Sequence, residues 1–141
     1  MKQDGVRPRT SARHKARKHA LDLLFEADLR GTDPVATLEE RTATEVTVRE
    51  LTAVIVRGVA ANSRRIDSVV SSWLSDGWTL ERMPRVDRIL ARMATYELLY
   101  TTTEPSVVVS EAVALASELS TDESPAFLNA VLRHVANSQP E

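Results

Sequence analysis

The sequence predicts an all-α protein of about seven helices. Apolar residues return at a 3.6-residue period in one segment after another. Two pairs, Asp33-Pro34 and Ser124-Pro125, read as helix starts. Each sets a capping side chain before a proline at the first helical position, where the missing N–H costs nothing. Alternating strand patterns and hairpin turns are lacking elsewhere. The one β-branched run, Val107 to Val109, leads into Glu111–Glu118, whose strong helix propensity extends the helix back through it.

Taken in order, residues 1–10 hold Gly5 and Pro8 and little apolar content, as in a mobile arm. The first helix is expected from about Ser11 to Arg30. Ala12, Ala16, Ala20, Leu23, Leu24 and Ala27 fall on one side of it, and Gly31 offers a left-handed stop. Asp33 and Pro34 open a short second helix. Thr47 and Glu50 stand at capping-box spacing and introduce a third through Leu51, Val54, Ile55 and Val59. Gly58, inside it, suggests a close helix contact, because glycine otherwise weakens a helix interior. The pattern continues over residues 65–74 through Ile66, Val69, Val70, Trp73 and Leu74, with the junction near Asn62 left open. Trp73 is expected in the core and Trp78 half exposed.

Asp76 and Gly77 end that stretch, and Thr79 caps a short turn. Pro84 then begins a long helix to about Tyr100, striped by Val86, Ile89, Leu90, Met93, Ala94 and Leu98. Pro105 begins the next helix. Ser124 is expected to cap the last, which runs through Phe127, Leu128, Val131, Leu132 and Val135. Residues 11–136 thus form one helical domain, and residues 137–141 a tail expected to fray.

The charge is unevenly placed. Residues 1–20 hold seven bases, Lys2, Arg7, Arg9, Arg13, Lys15, Arg17 and Lys18, against one acid, Asp4. The remainder holds eleven bases and nineteen acids, so the formal net charge of −2 hides a basic start. A helix N-terminus favours acids, so these cations oppose the macrodipole. The simplest reading of a basic run is a solvated face. Here the cost to the helix, with no acid close in sequence to pair with the cations, favours a polyanion, RNA or DNA. Arg9, Arg13 and Arg17 follow at i, i+4 and i+8, with His14 and Lys18 beside them and Lys15 between. Arginine forks suit phosphate oxygens and lysines act as point charges.

A second stretch, 121–129, places Asp122 and Glu123 before a helix start whose orphan N–H groups can bind a phosphate or present donors to base edges. Those acids can accept hydrogen bonds from base amino groups, and Phe127 can stack on a base or fill the core. Taken alone, the stretch is better explained as acids suited to a helix start and a core phenylalanine.

No enzyme is expected. Walker, dinucleotide and His-Glu-x-x-His motifs are lacking, and the four glycines are isolated. His14 and His19 are five apart, a poor spacing for a helical metal pair, and no cofactor is implied. With no cysteine, thiolate metal sites and disulfides are excluded. No apolar run approaches a membrane span, and the basic start lacks the apolar region of a secretory signal, which together favour the cytoplasm.

Three stretches together resemble the NusB family of transcription antitermination factors. They are Arg13–Arg17 followed by Ala20–Phe25, Val86–Leu98, and Val108–Ala116 leading into Asp122–Leu132. The resemblance covers residues 11–136 and implies two small helical bundles. It implies binding of boxA-type RNA through the basic start, with Asp122, Glu123 and Phe127 near the RNA. It also implies a complex with NusE, a ribosomal small-subunit protein, through Phe25 and Asp87, and a place in the transcription elongation complex. Members are monomers or homodimers. His14 stands where an arginine is common, and Ala130 where a glycine is common. The alternative is a non-catalytic helical interaction module in ribosome assembly or dimerisation.

Overall fold

The computed structural model describes residues 11–44 and 47–139. The expected arm and Arg9 lie outside the described residues. Seven α-helices form: α1 Ala12–Arg30, α2 Pro34–Thr44, α3 Glu50–Ala61, α4 Ser63–Ser72, α5 Arg85–Tyr100, α6 Pro105–Leu119 and α7 Ser124–Asn137. A 3-10 turn, Leu80–Arg82, lies between α4 and α5. Among the described residues there is no strand, so the all-α class holds. Nor, among them, is any helix long and apolar enough to cross a membrane. The chain divides into two compact units, Met1–Arg57 and Gly58–Glu141, with the boundary inside α3.

In the first unit, α1 starts and stops as its caps dictate. Ser11 Oγ accepts from the His14 N–H at 3.1 Å, and Gly31 ends the helix at φ 68°. Asp33 Oδ1 accepts from the Val35 N–H at 3.1 Å and opens α2. Glu26 then ties α1 to α2. It accepts from Arg30 at 3.0 Å and also from Arg41. The Arg41 hydrogen bond holds the Glu26 carboxyl below the usual carboxylate range. The buried Thr52 hydroxyl donates to the Ala16 carbonyl at 2.8 Å, fixing α3 on α1.

The capping box at Thr47 and Glu50 is not used as the spacing suggests. Ala53 N–H donates to the Arg49 carbonyl, so α3 begins at Glu50 and the acid occupies its first turn. Its buried stripe is Thr52, Ile55, Val56 and Val59, and Val54 is exposed.

In the second unit α5 is central. It packs against α4, α6 and α7, and α6 packs against α7. Ile89, Leu90, Met93 and Ala94 are buried as the stripe requires, while Val86 and Leu98 are half-buried. Arg92 grips Asp67 of α4 with two hydrogen bonds, at 2.8 and 3.1 Å. The junction left open by the sequence is a break. The Asn62 side chain donates to the Gly58 carbonyl at 2.8 Å and caps the next helix by position. A polar side chain bonding the preceding turn competes with continuation of the helix.

Gly58 has the close contact its place suggests. A Cβ there would lie 2.1 Å from Tyr96 Cε1 on α5. Tyr96 in turn stacks on Tyr100, centroids 5.6 Å apart, and Arg65 covers Tyr100. Trp73, expected in the core, is 39% exposed and lies flat against His134 of α7, with centroids 5.0 Å apart. The last helix, α7, runs to Asn137. Ser138 and Gln139 bond back to the Val135 carbonyl through their side chains, at 2.8 and 3.1 Å.

Candidate nucleic-acid interface

The first unit carries the cations. No acid stands in the first turn of α1, and Arg13, Lys15 and Lys18 are exposed there. The row through Arg17 is not a surface stripe, however. Arg17 is 3% exposed and His14 2%. Helix geometry gives the reason. His14, Arg17, Leu21 and Leu24 recur at i, i+3, i+7 and i+10, which places the two polar side chains on the buried side. The exposed cations are therefore Arg13, Lys15 and Lys18, two and three residues apart, and Arg17 is not among them. Nor is the cluster without acids. Asp22, one turn beyond Lys18, has its carboxyl raised above the usual range by partial burial, an effect opposed by His19, Lys18 and Arg41.

Phe25 is half-buried further along α1. Leu24 and Ala27 on either side are fully turned inward, which leaves the Phe25 ring partly presented.

The second unit carries the corner between α6 and α7. Asp122 and Glu123 are exposed there. Ser124 does not act as the N-cap. It is the first residue of α7, Glu123 takes the cap position, and the Ser124 side chain turns inward. The Ser124 hydroxyl donates to Asp87 Oδ2 at 2.8 Å, and the Ser120 hydroxyl donates to Asp87 Oδ1 at 2.5 Å. Asp87, expected on a partner surface, is 3% exposed and belongs to this network. An acid in the first turn of α5 also suits the helix dipole, as its position there suggests.

Phe127 is neither core nor isolated. It is half-buried, its ring 6.0 Å from that of Trp78 and tilted by 43°. Trp78 is 48% exposed. Ala130 is exposed, so a side chain in place of glycine meets no buried surface. Sequence reasoning missed Ser120, Thr121 and Trp78. The available signal was two serines four apart on either side of the acids, but hydroxyls so placed read first as caps. Among the described residues no group of three or more His, Asp or Glu is placed to hold a metal.

Comparison with known proteins agrees with this architecture. The NusB family model matches residues 14–137. A transcription antitermination protein NusB of Cutibacterium acnes is 53% identical over 92% of this chain, which spans 50% of that protein. The chain thus covers about half the length of that relative. A transcription antitermination protein NusB of Nocardioides is 50% identical, with 92% of this chain and 97% of that protein covered. The solved structure of T. maritima NusB superposes with a TM-score of 0.82 at 30% identity, covering 93% of this chain and 94% of that one. A chain from the complex of antitermination factors NusB and NusE with double-stranded RNA gives 0.78 at 23% identity, covering 92% and 100%, and shares the fold. With a family model that matches nearly all of the helical region and relatives of half-identical sequence, this chain belongs to the NusB family.

Proposed function

We propose that the chain is a non-catalytic, RNA-binding transcription antitermination factor that binds boxA-type RNA together with NusE within the transcription elongation complex. The observation that carries this reading is the start of α1, where Arg13, Lys15 and Lys18 are exposed and the first turn holds no acid. Exposed cations set against the positive end of a helix dipole create a positive potential that suits an anionic ligand. The names of the relatives, and the shared fold with a NusB chain from a complex with NusE and double-stranded RNA, support the same reading. In it, the first unit supplies phosphate contacts and the corner at Asp122, Glu123 and Phe127 supplies base contacts. Phe25 is the partner contact.

Fluorescence anisotropy with boxA and scrambled RNA, with and without NusE, tests the proposal. The expected result is preference for boxA, and tighter RNA binding with NusE. By linkage, RNA must raise NusE affinity by the same factor. Phe25→Asp should remove that gain while leaving the fold and the binding of RNA alone intact. Equal binding of both RNAs with no effect of NusE would leave an interaction module as the better reading.

Phe127→Ala should weaken boxA binding by about 1–3 kcal/mol, the usual worth of a stacked base. Because Phe127 is only half-buried, the melting temperature should change little. A large fall in melting temperature with unchanged RNA affinity would assign the ring to packing.

A further inference from the structure

We infer that Asp87 is a positioning residue for RNA discrimination: by binding Ser120 and Ser124 it fixes both ends of the exposed corner formed by residues 121–123. The inference rests on the reading of that corner as the base-contacting element.

The hydrogen bonds close as a directional network. An ionised carboxylate only accepts, and a serine hydroxyl has one proton and two lone pairs. Ser120 gives its proton to Asp87 Oδ1, and Ser124 gives its proton to Asp87 Oδ2. The Ser124 oxygen is then left to accept. Thr121 N–H lies 3.2 Å from it and Thr121 Oγ1 2.7 Å, so with the serine proton committed, both Thr121 groups donate. The proton order therefore runs from Thr121 through Ser124 to Asp87. The Ser124 N–H meanwhile donates to the Thr121 carbonyl at 3.1 Å, closing the turn in the backbone.

The placement makes this more than packing. Ser120 caps the end of α6, Ser124 begins α7, and the three residues between them carry the two exposed acids. One buried carboxylate in the first turn of α5 thus holds both ends of that segment. The Glu123 carbonyl accepts from the Phe127 N–H at 3.1 Å, so the first turn of α7, which carries the aromatic ring, is built on the same corner. Acceptors held in place before RNA arrives avoid an ordering cost on binding, and their geometry selects among bases. The cations of α1 are untouched by this network and set the bulk affinity.

The test uses Asp87→Asn in the full chain. The amide keeps the shape but accepts at only one of its two positions and donates at the other. One serine proton then loses its acceptor: with the amide oxygen toward Ser124 the Ser120 end of the clamp is lost, and with it toward Ser120 the order from Thr121 through Ser124 is lost. The expected result is a loss of at least about three-fold in boxA-over-scrambled discrimination, with an unchanged salt slope. Amide exchange at Thr121 should accelerate at least about ten-fold, while exchange in the middle of α5 and α6 stays close to wild type. Should that variant fail to fold, Ser120→Ala tests the same point from the half-buried side, and Ser120→Thr, which restores a hydroxyl, should return discrimination and Thr121 protection.

A folded variant with wild-type discrimination overturns the inference. So does one whose discrimination falls with no change in Thr121 exchange, since the effect then bypasses the corner. If the wild-type chain binds boxA and scrambled RNA equally, the corner has no base-contacting role, and the proposed role of Asp87 falls with it. Thr121 exchange in Asp87→Asn then reports whether the clamp itself exists, which separates the two failures.

Discussion

Replacing Arg13, Lys15 and Lys18 together by alanine should remove most RNA binding and leave the protein folded. Each cation that releases a counterion contributes about 0.7 to 0.9 to the slope of log affinity against log salt, so the three together should flatten it by roughly 2. At moderate salt the affinity should fall about ten-fold or more. Stability should move the other way, if at all. Arg13 and Lys15 sit near the positive end of the α1 dipole, where removing a cation relieves about 0.3–1 kcal/mol. Weaker binding with equal or higher melting temperature separates a lost phosphate site from a damaged fold. Arg17→Ala is the complementary control. Its side chain is buried, so its loss should lower the melting temperature. An unchanged salt slope in the triple variant would place the phosphate contacts elsewhere.

The largest effect on stability is expected at Gly58. Valine there would drive a Cβ to 2.1 Å from Tyr96 Cε1 and 2.2 Å from Cζ, well inside contact distance. The ring cannot withdraw freely, because its stacking partner Tyr100 is itself covered by Arg65. Overpacking typically costs about 1–3 kcal/mol and sometimes more. Gly58→Ala recovers up to about 1 kcal/mol of helix propensity, which valine recovers only in part. Gly58→Val should therefore lie near the upper end, about 3 kcal/mol, measured by denaturant unfolding. Tyr96→Leu should relieve much of the penalty in the double variant, a coupling that a double-mutant cycle reads directly. A valine variant as stable as wild type would show that the Tyr96 ring has another place to go.

The Gly58 contact was legible because a glycine inside a strong helical pattern needs a reason. The helices were legible for a related cause. Four of the seven starts carry prolines and the stripes hold one period over many residues, so local chemistry and packing agree. Trp73 was misplaced because large apolar side chains on a helical stripe are usually buried. Its stripe reaches the end of α4, where Ile66 and Val70 are fully enclosed and the next turn is not. Arg17 and His14 misled in the opposite sense. Their charge says surface, but their spacing with Leu21 and Leu24 says interior, and spacing decided. Asp87 and Ser124 could not be joined from the sequence at all. They lie 37 residues apart, and only the packing of α5 against α6 and α7 makes them neighbours.

The chain contains two tryptophans, and the structure gives each a different neighbour. Trp78 lies against Phe127 beside the α6–α7 corner, whereas Trp73 lies against the imidazole of His134 near the far end of α7. Both indoles are substantially exposed, so emission wavelength should shift little on unfolding and is a poor monitor of it. Intensity is the more informative quantity. Trp73→Phe leaves a single fluorophore at the corner, and Trp78→Phe leaves one at the imidazole. The protein thus carries its own pair of optical labels, one at the place where a stacked base would quench it and one to serve as an internal reference.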